Sequence, residues 1–234
     1  MRITYLFFLS IIISLIFSAA CTKAGRQASR PAFVVLEHNN TGLDFNNTLT
    51  QTNTLNMFSY MYFYNGAGVG AGDFNNDGLT DLFFASNQGS NKLFLNEGKL
   101  YFKDVSEKAK IPQDHGWSTG VSVVDINNDG LLDIYICKVG KFAGLKSENQ
   151  LLVCKGIESG VPFYEDQAEQ YGLNFSGFGT QASFFDYDMD GDLDMYLLNH
   201  ALHHDGSFAP RIKFLNTYDA LSGDRLYRND GDHF

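Results

Sequence analysis

Proline, cysteine, tryptophan and positive charge are all scarce in this chain. Its 234 residues include 4 Pro, 3 Cys and 1 Trp, with 17 Lys and Arg set against 27 Asp and Glu, for a formal charge of −10. Three cysteines are too few for a disulfide-dense scaffold. The shortage of cations argues against a nucleic-acid binder, which needs a basic surface to neutralise phosphates. After residue 20 no apolar run is long enough to span a bilayer as a helix, so a multispan membrane protein is excluded, and the composition does not suit a coiled coil either. No H-E-x-x-H occurs, and the glycines at 66–72 never complete G-x-G-x-x-G. What is plentiful is aromatic side chains and glycine, with 21 Phe, 12 Tyr and 23 Gly. That mixture favours strands joined by tight turns. The length allows one or two domains with a sizeable core.

The first residues have the layout of an export signal. Met1-Arg2 is followed by an almost wholly apolar stretch from Tyr5 to Phe17, then by Ser18-Ala19-Ala20 and Cys21. Small residues immediately before a cysteine resemble a bacterial lipoprotein signal, in which the Cys21 thiol would carry the lipid. Cleavage near Ala20 without lipid and an uncleaved anchor helix are the alternatives. Residues 1–20 are thus assigned as signal and 21–32, polar and without periodicity, as a flexible tether. The expected location is exported, in the outer membrane, periplasm or cell surface, with a lipid anchor holding the chain to the membrane.

The most informative feature is a segment that occurs three times. DFNNDGLTD fills 73–81, DINNDGLLD fills 125–133 and DYDMDGDLD fills 186–194, at spacings of 52 and 61 residues. A tightly curled loop of this kind can turn alternate side chains toward one hard cation, and calcium takes six to eight oxygens at about 2.3–2.6 Å. Positions 1, 3, 5 and 9 offer side-chain oxygens and position 7 a backbone carbonyl. The expected ligands are Asp73, Asn75, Asp77, Leu79 and Asp81 in the first loop, and Asp125, Asn127, Asp129, Leu131 and Asp133 in the second. In the third they are Asp186, Asp188, Asp190, Asp192 and Asp194. Gly78, Gly130 and Gly191 stand at position 6, where the chain must turn in a way a Cβ disfavours. Oxygen-only ligands select hard cations over zinc or copper, so the cofactor expected is Ca2+, up to three ions. An EF-hand would need Glu at position 12 and flanking helices, whereas position 12 here is Phe84, Ile136 and Leu197. The plainer reading, that these are ordinary Asp/Asn/Gly turns, fails on charge. The loops hold three, three and five acids, eleven of the 27, and crowding them without a cation would be repulsive.

Each loop is followed by an apolar run, a turn and further short strands, so the unit reads as four strands with a period of 50–60 residues. That is the pattern of a β-propeller blade. The units resemble FG-GAP/VCBS repeats, the calcium-loop blades also found in integrin α-chains. TGLDFNN at 41–47 and YNGAGVGAGDFNNDG at 64–78 are similar to bacterial proteins of the ASPIC/UnbV type. The fold expected over 33–234 is therefore all-β, with about three propeller blades and the propeller incomplete in this chain, the N-terminal part of a longer protein. The third unit departs from the pattern through some 25 residues between Asn199 and Asp224.

The resemblance implies a non-enzymatic binding or adhesion module whose partner is an unknown protein or glycan, with no role for nucleic acid. The alternative is the propeller portion of a carbohydrate-active or other hydrolytic enzyme. Three other features carry less. His200, His203 and His204 with Asp205 could ligate a transition metal, although no strand or helix clearly positions them. Asp186-x-Asp188 matches the aspartates of phosphotransfer enzymes, but its identity with the other loops favours calcium. Cys137 and Cys154 are expected on neighbouring strands, about three residues out of step, and so unbridged.

Overall fold

A computed structural model describes residues 33–201 and 215–231. The signal and tether, Cys21, the His203–Asp205 stretch and the final three residues lie outside the described residues. Among those described, no helix is long and apolar enough to cross a membrane. Residues 33–36 belong to a separate N-terminal unit, have no regular secondary structure and expose their side chains.

From Glu37 onward the chain forms three antiparallel sheets in sequence order. Blade 1 comprises β1 (Val69–Gly72), β2 (Asp81–Phe84), β3 (Lys92–Asn96) and β4 (Phe102–Asp104), paired in that order. Blade 2 comprises β5 (Trp117–Val124), β6 (Asp133–Phe142), β8 (Gln150–Glu158) and β9 (Val161–Asp166). A two-residue strand, β7 (Leu145–Lys146), pairs with the end of β6. Blade 3 contributes β10 (Gly179–Phe185), β11 (Asp194–Asn199) and β12 (Arg225–Tyr227) among the described residues. The expected four-strand blades are present in the first two units. In the third, β11 and β12 pair directly despite the long intervening segment. The sequence reading did not foresee the short helix α1 (His38–Thr41). Gly42 ends it at φ 70°, where a Cβ would lie 2.2 Å from the Phe102 carbonyl oxygen.

The blades stack through their faces. Strands β6 and β8 are apolar at nearly every position, so both faces can be buried. Ile134, Ile136, Leu152 and Cys154 face blade 1, packing on Phe83, Ala85, Leu93 and Leu95. Tyr135, Cys137, Leu151 and Val153 face blade 3, against Ala182, Met195 and Leu197. Inner strands are stitched by side chains: Ser122 Oγ donates to the Ala182 carbonyl at 2.6 Å and Thr119 Oγ1 to that of Gly179 at 2.7 Å. A third cluster packs Leu55, Tyr60 and Phe63, from the segment ahead of blade 1, on Trp117, Val139 and Phe178. Within the same leading segment Asn47 bonds to Asn87 through both the side chain, at 2.7 Å, and the backbone amide, at 3.0 Å.

The repeat also shows which face lacks a neighbour among the described residues. Phe83 and Ala85 of blade 1, and Tyr135 and Cys137 of blade 2, are covered by the next blade. Their counterparts in blade 3, Tyr196 and Leu198, are 38% and 43% exposed, and Leu226 beside them is 51% exposed.

The two cysteines are free and buried. The β6–β8 register, Ile136 opposite Gln150, sets Cys137 level with Asn149, five residues from Cys154 rather than the three expected. That odd offset also turns them to opposite faces, Cys137 toward blade 3 and Cys154 toward blade 1.

Candidate metal sites

Each acidic loop joins the first strand of a blade to the second. In all three the chain curls by the same two left-handed residues. Position 6 is Gly78, Gly130 and Gly191, with φ of 87°, 83° and 99°, as its identity required. Position 4 is also left-handed: Asn76 at 55°, Asn128 at 54° and Met189 at 62°. Asn tolerates this conformation, whereas a long side chain is strained in it.

The carboxylate at position 1 anchors the curl. Asp73 accepts from the amides of Asp77 and Gly78 at 2.9 and 2.8 Å, and Asp125 from those of Asp129 and Gly130 at 3.0 and 2.9 Å. Asp186 does the same with Asp190 and Gly191 at 3.2 and 3.1 Å. The position 5 carboxylates of Asp77, Asp129 and Asp190 accept from the amides of Leu79, Leu131 and Asp192.

Position 9 differs from the rest by being fully buried. Asp81 accepts from the Phe74 amide at 2.9 Å with one oxygen and from that of Asn96, at the end of β3, at 2.7 Å with the other. Asp133 takes Ile126 and Cys154 in the same way, at 2.9 and 2.8 Å. Asp194 takes Tyr187 and Asn229, both at 2.9 Å. This one side chain therefore ties the loop to its own blade's third strand through two charge-assisted bonds. Burial raises the pKa of Asp133 to about 6. The amides of Cys154 and Ile126 oppose that rise, while Asp129 and Asp125 add to it. Asp81 is raised for the same reasons, burial first, against the amides of Asn96 and Phe74.

At position 3 the loops diverge. Asn75 and Asn127 turn their amide nitrogens to Asp77 and Asp129, each at 2.9 Å. The third loop has Asp188 instead, and one carboxylate oxygen from each of Asp186, Asp188 and Asp194 lies within 4.8 Å of the others. Partial desolvation, followed by the charges of Asp190, Asp194 and Asp186, raises the pKa of Asp188. The donor set is all oxygen and suits a hard divalent cation. The third loop already gathers its carboxylates as such an ion requires. The first two would have to release the Asn75 and Asn127 amide bonds.

A second repeated contact was missed by sequence reasoning. Asn91, Asn149 and Asp224 each stand one residue before or at the start of the blade's third strand. Each accepts from the amide of the residue five after position 9: Ser86 at 2.9 Å, Lys138 at 2.7 Å and Asn199 at 2.8 Å. The signal was present as N-K-L, N-Q-L and D-R-L. His200 lies away from the loops. One ring nitrogen is 3.2 Å from the Tyr60 hydroxyl and the other 3.2 Å from that of Thr180, an arrangement of ring and hydroxyls rather than a metal set.

Comparison with known families falls on the same geometry. Residues 73–136, from the first acidic loop to the middle of β6, match the family model of the FG-GAP-like repeat. The chain contains an FG-GAP-like repeat. Cartilage acidic protein 1 of Homo sapiens is 32% identical over 136 residues, covering 56% of this chain and 20% of the relative. That of Xenopus tropicalis is 30% identical over 139 residues, covering 58% and 21%. The chain therefore spans about a fifth of the length of the curated relatives it matches. The FG-GAP-like match covers two of the three acidic loops, and the third repeats their hydrogen bonds at positions 1, 5 and 9.

Proposed function

We propose that this chain is a calcium-stabilised FG-GAP propeller segment acting as a non-enzymatic binding or adhesion module, held at the bacterial envelope by lipid on Cys21. The single observation that carries the calcium reading is the threefold loop. It repeats its curl, its acids at positions 1, 5 and 9 and the burial of the last, and in the third copy Asp186, Asp188 and Asp194 converge. Bound calcium would supply the positive charge these carboxylates lack. Asp73, Asn75, Asp77 and Asp81, with their counterparts in the other two loops and the carbonyls of Leu79, Leu131 and Asp192, would hold it. The binding reading rests on kinship with FG-GAP repeats, and fold alone does not establish function. A hydrolytic role would need a pair of carboxylates about 5–10 Å apart in a cleft, and the clustered acids here serve the loops.

Equilibrium calcium titration of a protein starting at Thr22 tests the reading. Saturable uptake of up to three ions is expected, reduced by one ion for each of Asp77→Ala, Asp129→Ala and Asp190→Ala. No uptake at millimolar calcium would sink it.

A further inference from the structure

We infer that a cavity at the starts of the inner strands, at the end of the blades opposite the acidic loops, is a subsite for a neutral sugar ring. This rests on the binding-module reading and gives it a place and a ligand class. The cavity is open and measures about 350 Å3, at the lower end of the ~300–1,000 Å3 usual for small-molecule sites. No Asp, Glu, Lys or Arg lines it, in a chain with 17 basic and 27 acidic residues. An ionic ligand would meet no opposite charge there.

What the cavity offers is two kinds of surface. One wall is aromatic: the Tyr62 and His200 rings lie 4.4 Å apart, backed by the buried Tyr60 and Trp117, whose rings meet edge-to-face at 5.5 Å. His200 is fixed between the Tyr60 and Thr180 hydroxyls. The remaining lining includes the uncharged polar side chains of Asn65, Thr180 and Gln181. Gln181 is itself held, donating to the Val121 carbonyl at 3.0 Å. A pyranose has one face of C–H groups and a rim of hydroxyls, so it needs a flat apolar surface and neutral hydrogen-bonding groups together. Aromatic rings beside amide and hydroxyl groups provide both. Because the wall is pre-formed, little ordering is required on binding.

Trp117 is the chain's one tryptophan, so its emission reports on this cavity alone. The test titrates the methyl glycosides of glucose, galactose and N-acetylglucosamine, and separately choline, into the calcium-loaded chain. The expected result is a saturable emission change with at least one glycoside. It should be unaltered between about 0.05 and 0.5 M salt, because a neutral ligand is not screened, and weakened about tenfold or more in Tyr62→Ala. If Tyr62→Ala lowers the melting temperature, Asn65→Ala, at an exposed position, serves in its place. A response to choline but to no glycoside would overturn the proposal, as would no response to any probe. A parallel arm presents the wild-type chain and Tyr62→Ala to immobilised envelope glycans and proteins. Equal capture by both would remove the cavity assignment while leaving the binding module standing, and capture by neither would remove both.

Discussion

Position 9 of each acidic loop holds an aspartate whose two oxygens are taken up by two backbone amides, one in the loop and one in or just beyond the blade's third strand. This separates the work of the loop residues. Asp133→Ala leaves the Ile126 and Cys154 amides buried and unpaired, so it should destabilise the protein by about 2–4 kcal/mol even in excess chelator. Asp129→Ala removes an exposed acceptor and should cost no more than about 1 kcal/mol in chelator, its larger effect emerging only with calcium. Urea unfolding of both variants under both conditions checks the contrast, and equal losses in chelator would contradict it. Position 4 offers a gain in the opposite direction. Met189 is 88% exposed and left-handed where the other loops have Asn. Met189→Asn should therefore stabilise by roughly 0.5–1 kcal/mol, read as a raised urea midpoint at constant slope.

At the scale of elements, one buried cation sets a further test. Lys138, midway along β6, is wholly buried and paired with the partly exposed Asp114. Burial lowers its pKa below the usual lysine range, and Asp114 opposes that shift. A base with a depressed folded pKa costs the fold stability while it is charged. That cost is relieved as pH rises from the folded value toward about 10.4, the ordinary lysine pKa. Stability attributable to Lys138 should therefore rise at alkaline pH, and Lys138→Met should abolish the rise while being neutral or mildly stabilising overall. Asp114→Ala leaves the cation buried and alone, at a cost of about 3 kcal/mol. Chemical denaturation between pH 7 and 10 reads the wild type and both variants. Much at this scale was legible in the sequence. The apolar run I-Y-I-C and the glycine of each loop placed β6 and its turn, because strand preference and positive φ act locally. The repeated N-K-L, N-Q-L and D-R-L marked Asn91, Asn149 and Asp224, but not their partners, since what each accepts from is fixed only once the second and third strands are in register. The cysteine offset failed for the same reason: it depends on the length of the β6–β8 connection, where β7 takes up residues. The cavity joins side chains 140 residues apart, Tyr60 and His200, which no local pattern connects.

Across the whole molecule, the blades behave as a stack in which each covers the apolar face of the one before it. Blade 3 keeps Tyr196, Leu198 and Leu226 in solvent. The isolated 234-residue chain should accordingly bind a hydrophobic dye and self-associate with rising concentration. Leu198→Thr with Leu226→Thr should reduce both effects without lowering the melting temperature, as light scattering and calorimetry would show. The loops lie at one end of this stack and the neutral cavity at the other, so the proposed calcium binding and the proposed ligand contact fall at opposite ends. The account depends most on the first of these. Its most direct test is thermal melting of the chain from Thr22, with calcium and with chelator. At a calcium concentration about 100 times the Kd, each site should add about 2.7 kcal/mol, or roughly 5–10 °C for a domain of this size. The gain should disappear when Asp77, Asp129 and Asp190 are together changed to Ala. Superimposable melts in calcium and chelator would contradict the account, leaving three acidic turns held by their own hydrogen bonds.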